Sequence, residues 1–288
     1  MGLDARGDIA VVQLVIFIPF LAISTILVLR HGFNRRAGWL LLLIFSIIRI
    51  IGSAIHIASE QKSTPDVGLI ATYITLEGAG LSPLLVATLG FLSTVAQQAF
   101  DSDTRFLQAR RLLGLVGTVA LALAIAGGSI LGSADSQSSV NTGTTLRHVG
   151  VILFVVLFVG LVLMHGYLYL SFSRILTHRR KLLVGISMAL PFLLIRVIYA
   201  VLAGFAPSGI PNGSQTDHND LSKFSSQTGS WQIYLVMSVL MEIIVMVIYT
   251  TVGLSIRLQD DGVAGKPDYS NVNRSGSSDV ELNRRERV

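Results

Sequence analysis

Two arginines and two glutamates, Arg49, Arg196, Glu77 and Glu242, stand inside long apolar stretches of the chain. An ionisable group near the middle of a membrane-spanning helix costs roughly 2.5–3.5 kcal/mol on translocon scales. Side chains kept at that cost do one of a few things. They pair to fix helix register, they hold a charged ligand, or they move an ion or proton. Positive and negative charges balance here, and their depths are compatible. At about 1.5 Å of rise per residue, Arg49 and Arg196 lie roughly 18 and 21 Å from one face, and Glu77 and Glu242 about 15 and 17 Å from the other. In a hydrocarbon core of about 30 Å, all four fall between the midplane and one half of the bilayer. Spacing adds polar company. Ser46, Arg49, Ser53 and His56 follow at helical intervals and form one stripe, and Ser238, Glu242, Tyr249 and Gly253 form a second. Both stripes are expected to face the interior of a helix bundle. His56 lies near the end of its helix, where it could titrate. His165 is expected to be a hydrogen-bonded interior histidine.

Several other chemistries lack their residues. The chain has no cysteine, which removes disulfides, thiolate metal sites, catalytic thiols and S-palmitoylation. Its lysines, Lys62, Lys181, Lys223 and Lys266, all lie outside the apolar stretches, so no Schiff-base lysine is available for retinal. No span contains an Asp and the last contains no His, so an intramembrane zinc site has no ligand set. A nucleophile elbow and a phosphate-binding loop are both missing. No catalytic site, no metal and no cofactor is expected. The glycines and alanines from Gly114 to Gly128 read as a helix-packing surface.

The elements that must position the four charges follow from composition. Of 288 residues, 51% are hydrophobic and 14% charged, with a mean hydropathy of +0.65. Soluble domains carry about 25% charged residues, so a soluble enzyme and a disordered chain are excluded. Apolar runs near the 20 residues a crossing needs occur at about 9–29, 37–57, 67–100, 112–131, 148–173, 182–205 and 231–256. The fold is therefore all-α, a polytopic bundle of seven transmembrane helices over residues 1–258. The third run is too long for a simple crossing, and Pro83 predicts one kinked or tilted helix that protrudes from the membrane. Pro19 and Pro191 predict further kinks. The first run is too long for a cleaved signal segment. Residues 259–288, rich in Ser, Asn, Asp and Arg, read as a disordered tail.

Charge asymmetry gives orientation. Sixteen of the 22 Lys and Arg fall in the segments 30–36, 101–111 and 174–181 and in the tail, whereas only Arg6, Lys62, Arg147 and Lys223 fall on the opposite side. By the positive-inside rule the N-terminus is outside and the C-terminus cytoplasmic. The Asn212-Gly213-Ser214 sequon then lies in an outer loop, making Asn212 a glycosylation candidate. The pI near 9.7 reflects these loop charges, so no nucleic-acid partner is expected. Membrane lipid, a small ligand from the outer side and a cytoplasmic protein at the basic loops are the expected partners.

Four ordered stretches carry a resemblance. They are His31-Gly32-Phe33 with Gly38-Trp39 and Ile47-Ile48-Arg49-Ile50-Ile51-Gly52; Gly80-Leu81-Ser82-Pro83-Leu84-Leu85; Leu190-Pro191-Phe192 with Arg196-Val197-Ile198-Tyr199; and Met241-Glu242-Ile243-Ile244 with Tyr249 and Gly253. Over about residues 8–258 the chain resembles a fungal family of seven-span integral membrane proteins catalogued as domain of unknown function 7702, some of whose members carry a loose receptor-like (GPCR-like) label. The resemblance implies a fungal source and places Arg49, Pro83, Arg196 and Glu242 inside the stretches that carry it. Glu77 lies outside the stretches that carry it. The Asp/Glu-Arg-Tyr and Asn-Pro-x-x-Tyr marks and the extracellular disulfide of G-protein-coupled receptors are absent from the sequence.

Arg49, Ser53, His56, Glu77, Arg196, Tyr199, Ser238 and Glu242 thus form the candidate network. It serves either as a structural lock or as a ligand site. The leading expectation is a receptor or sensor in a membrane. A transporter or lipid-handling protein using the same charges is the alternative, and a structural or assembly role the third.

Overall fold

The computed structural model describes residues 4–31, 38–62, 66–97, 99, 103–134, 136–172, 175, 177–206, 220–225 and 228–256. Asn212 and the tail from 259 lie outside the described residues. The helices are α1 (Ala5–His31), α2 (Trp39–Gln61), α3 (Val67–Ala79), α4 (Leu81–Ala96), α5 (Thr104–Gly132), α6 (Gln137–Leu170), α7 (Thr177–Phe205), α8 (Trp231–Tyr234) and α9 (Met241–Ser255). A short 3₁₀ helix, Asp220–Phe224, precedes α8, and a π-helical turn, Leu235–Leu240, joins α8 to α9. No strand occurs among the described residues. With α3 and α4 counted as one rod, and α8 and α9 as another, seven helices are long and apolar enough to cross a membrane.

The helices run alternately up and down. One end of the bundle holds Asp4, Gln61 and Phe205, and the other holds Arg30, Ala96 and Ser255. Contacts between distant residues fix this order. At the Asp4 end, Arg6 donates to the Gly229 carbonyl and Arg147 to the Ala203 carbonyl. At the Arg30 end, Arg30 donates to Leu254 C=O at 3.1 Å, and Arg179 donates to Thr94 C=O at 3.0 Å and Gln97 C=O at 2.6 Å.

Centrality separates one rod from the rest. In the most apolar stretch of Val67–Ala96, 83% of residues are buried, whereas no other span exceeds 44%. The other helices surround it and turn apolar side chains outward, such as Val15 on α1, Leu115 on α5 and Leu163 on α6. This central rod is not one helix. The ladder is interrupted at Gly80, three residues before Pro83, and α4 ends at Ala96 instead of continuing to 100. Proline lacks the N–H that the Ala79 carbonyl would accept and crowds the preceding turn. Through Pro19 and Pro191, in contrast, α1 and α7 continue as helix.

Glycine sets how closely the rods approach. On α5 and α6, a Cβ at Gly127 would lie 2.8 Å from the Gly143 carbonyl oxygen, and one at Gly150 would lie 3.3 Å from that of Ala120. The small-residue surface is thus split: Gly127, Ala120 and Ala124 meet α6 backbone, whereas Gly114, Gly117 and Gly128 meet the Leu89, Val86 and Thr75 side chains of the central rod. At the start of α2, Gly38 has φ +76°, a left-handed conformation that L side chains rarely adopt. That turn seats Trp39 against Phe91 (ring centroids 4.5 Å apart), with Phe91 in turn against Tyr249 at 4.9 Å. The starts of α3, α5 and α6 carry side-chain caps. Asp66 accepts from the Gly68 and Leu69 N–H, Asp103 from that of Arg105, and Ser136 from that of Ser139.

The α6 helix begins at Gln137, well before the apolar run that starts at 148. Arg147 is consequently a helical residue between α5 and α7, not a loop residue. Polar Ser, Thr and Asn side chains in the first turns of α6 hide the helix from a hydropathy reading; Thr142 and Thr145 bond back to carbonyls four residues earlier.

Substituting Gly127→Leu should separate α5 from α6 and cost about 1–3 kcal/mol, since the atoms it meets are backbone. The readout is a lower melting temperature in one detergent. Gly166→Ala, where a Cβ meets nothing within 4 Å, should not lower it. The exposed Asp103 carboxyl is held below its ordinary pKa, first by the Tyr167 hydroxyl, which donates to it at 2.9 Å, and also by backbone N–H groups. A depressed carboxyl stabilises the fold above its unfolded pKa and loses that effect as pH falls through its folded pKa. Tyr167→Phe should therefore move the Asp103 titration to higher pH, as followed by carboxyl carbon NMR.

Candidate functional site

Three helices deliver charge to one point. Arg49 projects from the inward stripe of α2, Arg196 from α7 and Glu242 from the second residue of α9. One oxygen of Glu242, Oε1, accepts from both arginines: from Arg49 Nη2, and from Arg196 Nε at 2.7 Å. All three side chains are buried, Glu242 completely. Each guanidinium also lies over an aromatic ring, Arg49 5.4 Å from the Phe45 centroid and Arg196 5.6 Å from that of Tyr199.

The broken central rod supplies the fourth partner. The Glu77 carbonyl accepts from Arg49 Nη2 at 3.4 Å and from Arg196 Nη2 at 3.3 Å. It stands three residues before the interruption at Gly80. A side chain at Gly80 would crowd the Arg49 guanidinium, because a Cβ there would lie 3.0 Å from Arg49 Nη2. On the other side of the centre, the π-helical turn Leu235–Leu240 directly precedes α9 and so sets the direction from which Glu242 enters.

The depth argument thus places Arg49, Arg196, Glu242 and Glu77 together. Glu77 contributes its backbone to the arginines, while its carboxylate makes no hydrogen bond among the described residues and faces two cavities. Of the remaining candidates, Ser53 and His56 line the smaller cavity with Arg49, Gln13, Tyr73 and Tyr234. His56 stacks on Tyr73 with centroids 4.2 Å apart, and its Nε2 lies 3.1 Å from Glu60. Ser238 is buried, and its hydroxyl has no partner among the described residues, so it is not brought into the charge cluster. His165 bonds Ser187 at 2.9 Å, away from the cluster, as its interior position implied.

The larger of the two cavities at the cluster lies between α3, α5, α6 and α7 and holds about 80 Å³ of internal space. It runs from Ala71, Ala203 and Gly204 near the Asp4 end down to Glu77 and Arg196. Tyr199 lines it, and the Tyr199 hydroxyl is buried without a hydrogen-bond partner among the described residues. Arg147 lines it too. Sequence reasoning missed Arg147, Gln13, Tyr73 and Tyr234. For Arg147, the signal was the run of helix-compatible residues from Gln137 that carries α6 past the apolar stretch.

The bundle is closed on the far side of the cluster. Trp39, Phe45, Phe91 and Tyr249 are fully buried, and the Tyr249 hydroxyl lies 2.7 Å from Thr88 Oγ1. Both cavities reach the cluster from the Asp4 half.

Residues 3–259 match a family described as a domain of unknown function (DUF7702). No curated protein and no solved structure matches the chain.

Glu242→Gln keeps the side chain's size and removes the only carboxylate bonded to either buried arginine among the described residues. Breaking a buried pair this way costs about 3–5 kcal/mol, so the melting temperature should fall sharply. Glu77→Gln should leave it near the wild-type value, because the arginines use that residue's backbone. A large fall in the second variant and none in the first would overturn this assignment of roles.

Proposed function

For this chain, which belongs to the domain of unknown function (DUF7702) family, we propose a receptor or sensor in a membrane, with a ligand cavity above an internal charge lock. The observation that carries the reading is the asymmetry of the bundle. A cavity descends from the Asp4 half to Arg196 and Glu77, and packed aromatic side chains close the half beyond. A through-path for a substrate would need the second half to open as well. A sensor needs only that occupancy of the cavity changes the contacts of Arg196, which ties α7 to α9 through Glu242 and to α3 through the Glu77 carbonyl. Ligand binding then biases helix positions at the opposite end of the bundle.

In this reading the Asp4 end faces outside and the tail is cytoplasmic, following the excess of Lys and Arg at the Arg30 end. Arg105, Arg110, Arg111, Arg180 and Lys181 then face a cytoplasmic protein or anionic lipid. A fungal source and a receptor-like grouping rest on the sequence resemblance alone. The chain is read as a binding protein and not an enzyme, since its sequence carries no nucleophile elbow, phosphate-binding loop or metal-ligand set. One observation favours transport as a second reading. The unpaired Glu77 carboxylate borders both cavities, as a proton or cation site would.

Reconstitution separates the two. A receptor in proteoliposomes should show saturable ligand-dependent stabilisation and no ligand flux or proton uptake. Flux that is saturable in the wild type and collapses in Glu77→Gln would replace the receptor reading with a transporter.

A further inference from the structure

We infer that Glu77 is a proton-binding site, served from the Asp4 end by a water molecule in the smaller cavity. The inference names what reaches that carboxylate and rests on neither reading of the whole bundle, since a sensor and a transporter both have use for such a site.

The state of the carboxylate is the first argument. Glu242 Oε1 takes Arg49 and Arg196, and both arginines also donate to the Glu77 carbonyl. The Glu77 carboxylate itself makes no hydrogen bond among the described residues, although the residue is only 9% exposed. Neither of its oxygens is sealed by protein, so both keep surface open to the cavities that the residue lines. A buried carboxylate with no partner either is hydrated or neutralises itself by taking a proton.

The choice of cavity is the second. The smaller one holds about 20 Å³ of internal space. A water needs about 10–15 Å³ and some two to four polar partners. Glu77, Arg49, Ser53 and Tyr234 place polar groups around that space. The larger cavity is walled above Glu77 by Ile74, Leu131, Val151 and Phe154, which give water nothing to bond. A polar face also connects the smaller cavity to solvent. On α2, Arg49, Ser53, His56 and Glu60 follow at helical spacing, and His56 Nε2 lies 3.1 Å from Glu60. The Glu60 side chain is 19% exposed and accepts from the Asp4 N–H at 3.3 Å. The Asp4 end is therefore the side from which protons arrive.

The charge environment selects a proton over a metal ion. Calcium takes about six to eight oxygen ligands, whereas a single free carboxylate stands here beside two guanidiniums that repel a cation. A proton needs one oxygen. Solvent gives a proton to the cavity water, and the water passes one of its own to Glu77. An O–H bond forms on the carboxylate and the water is restored. The charged groups facing Glu77 are Arg49 on α2, Arg196 on α7, Glu242 on α9 and, toward the Asp4 end, Arg6 on α1 and Arg147 on α6. His56, Tyr73, Tyr199 and Tyr234 are the other titratable groups on its cavities. With Glu77 ionised, Arg49, Arg196, Glu77 and Glu242 sum to zero. A bound proton leaves one positive charge where α2, α7 and α9 meet.

The test is infrared spectroscopy of the full chain in lipid nanodiscs through an acid-to-alkaline pH series. The difference between wild type and Glu77→Gln should contain one protonated-carboxyl band that grows reversibly on acidification. Glu77→Asp should keep a titrating band at a shifted position, which covers the case in which Glu77→Gln does not fold. In heavy water the wild-type band should shift within the mixing time, because its proton exchanges through the cavity water. Ser53→Val replaces one polar partner of that water with methyl groups and should slow the exchange about tenfold. No such band at any pH, or a band that does not change with pH, overturns the inference. So does a band that keeps its hydrogen in heavy water. Exchange unchanged in Ser53→Val places the water elsewhere and overturns it too. All of these results leave the receptor reading standing, since ligand-dependent stabilisation and flux decide that.

Discussion

A single carboxylate oxygen shared by two buried guanidiniums is the constraint around which this bundle is arranged. Each charge taken from water has a desolvation penalty of several kcal/mol, recovered only where opposite charge and hydrogen bonds meet in good geometry. Glu242 therefore ties α2, α7 and α9 together at one point. Leu against Leu is as good in lipid as in a protein core, so apolar contact by itself gives helices little reason to prefer one register. The Arg49–Glu242–Arg196 contact supplies that reason.

The central rod accommodates the same requirement. A continuous helix uses its carbonyls within its own ladder, and a side chain at position 80 would crowd the Arg49 guanidinium. Pro83 interrupts the ladder, Gly80 leaves the space, and the Glu77 carbonyl turns to both arginines. Irregular backbone at membrane depth is tolerated where protein surrounds it, and this is the most buried of the seven spans. On α9 the π-helical turn plays the corresponding part by setting the approach of Glu242. Two departures from regular helix thus flank the charge cluster, one on each side.

Function follows from what the lock leaves over. Its Arg30 side is filled by Trp39, Phe91 and Tyr249, whereas its Asp4 side opens into cavities that end on Arg196, Arg49 and Glu77. Not every donor of the arginines is used. A structural ion pair with all its hydrogen bonds satisfied is inert.

The sequence alone determined the class of this protein. Seven apolar runs in 288 residues admit a helical bundle and little else, because backbone polar groups in hydrocarbon must be satisfied within the segment. It also brought Arg49, Arg196, Glu242 and Glu77 to one level, since helical rise is constant and depth can be counted along a rod. Periodicity likewise assigned Ser46, Arg49 and Ser53 to one buried face. Tertiary structure decided everything that depends on the neighbour. The sequence shows two arginines and two glutamates, but not that Glu242 takes both arginines while Glu77 gives only its carbonyl. That outcome depends on helix rotation and on the interruption at Gly80. Hydropathy left Arg147 in a loop because it registers the apolar core of a helix and not its polar first turns. Nor do spacing and composition reveal a cavity, because a cavity lies where α3 and α7 stand apart, and the distance between two helices is written in neither helix alone.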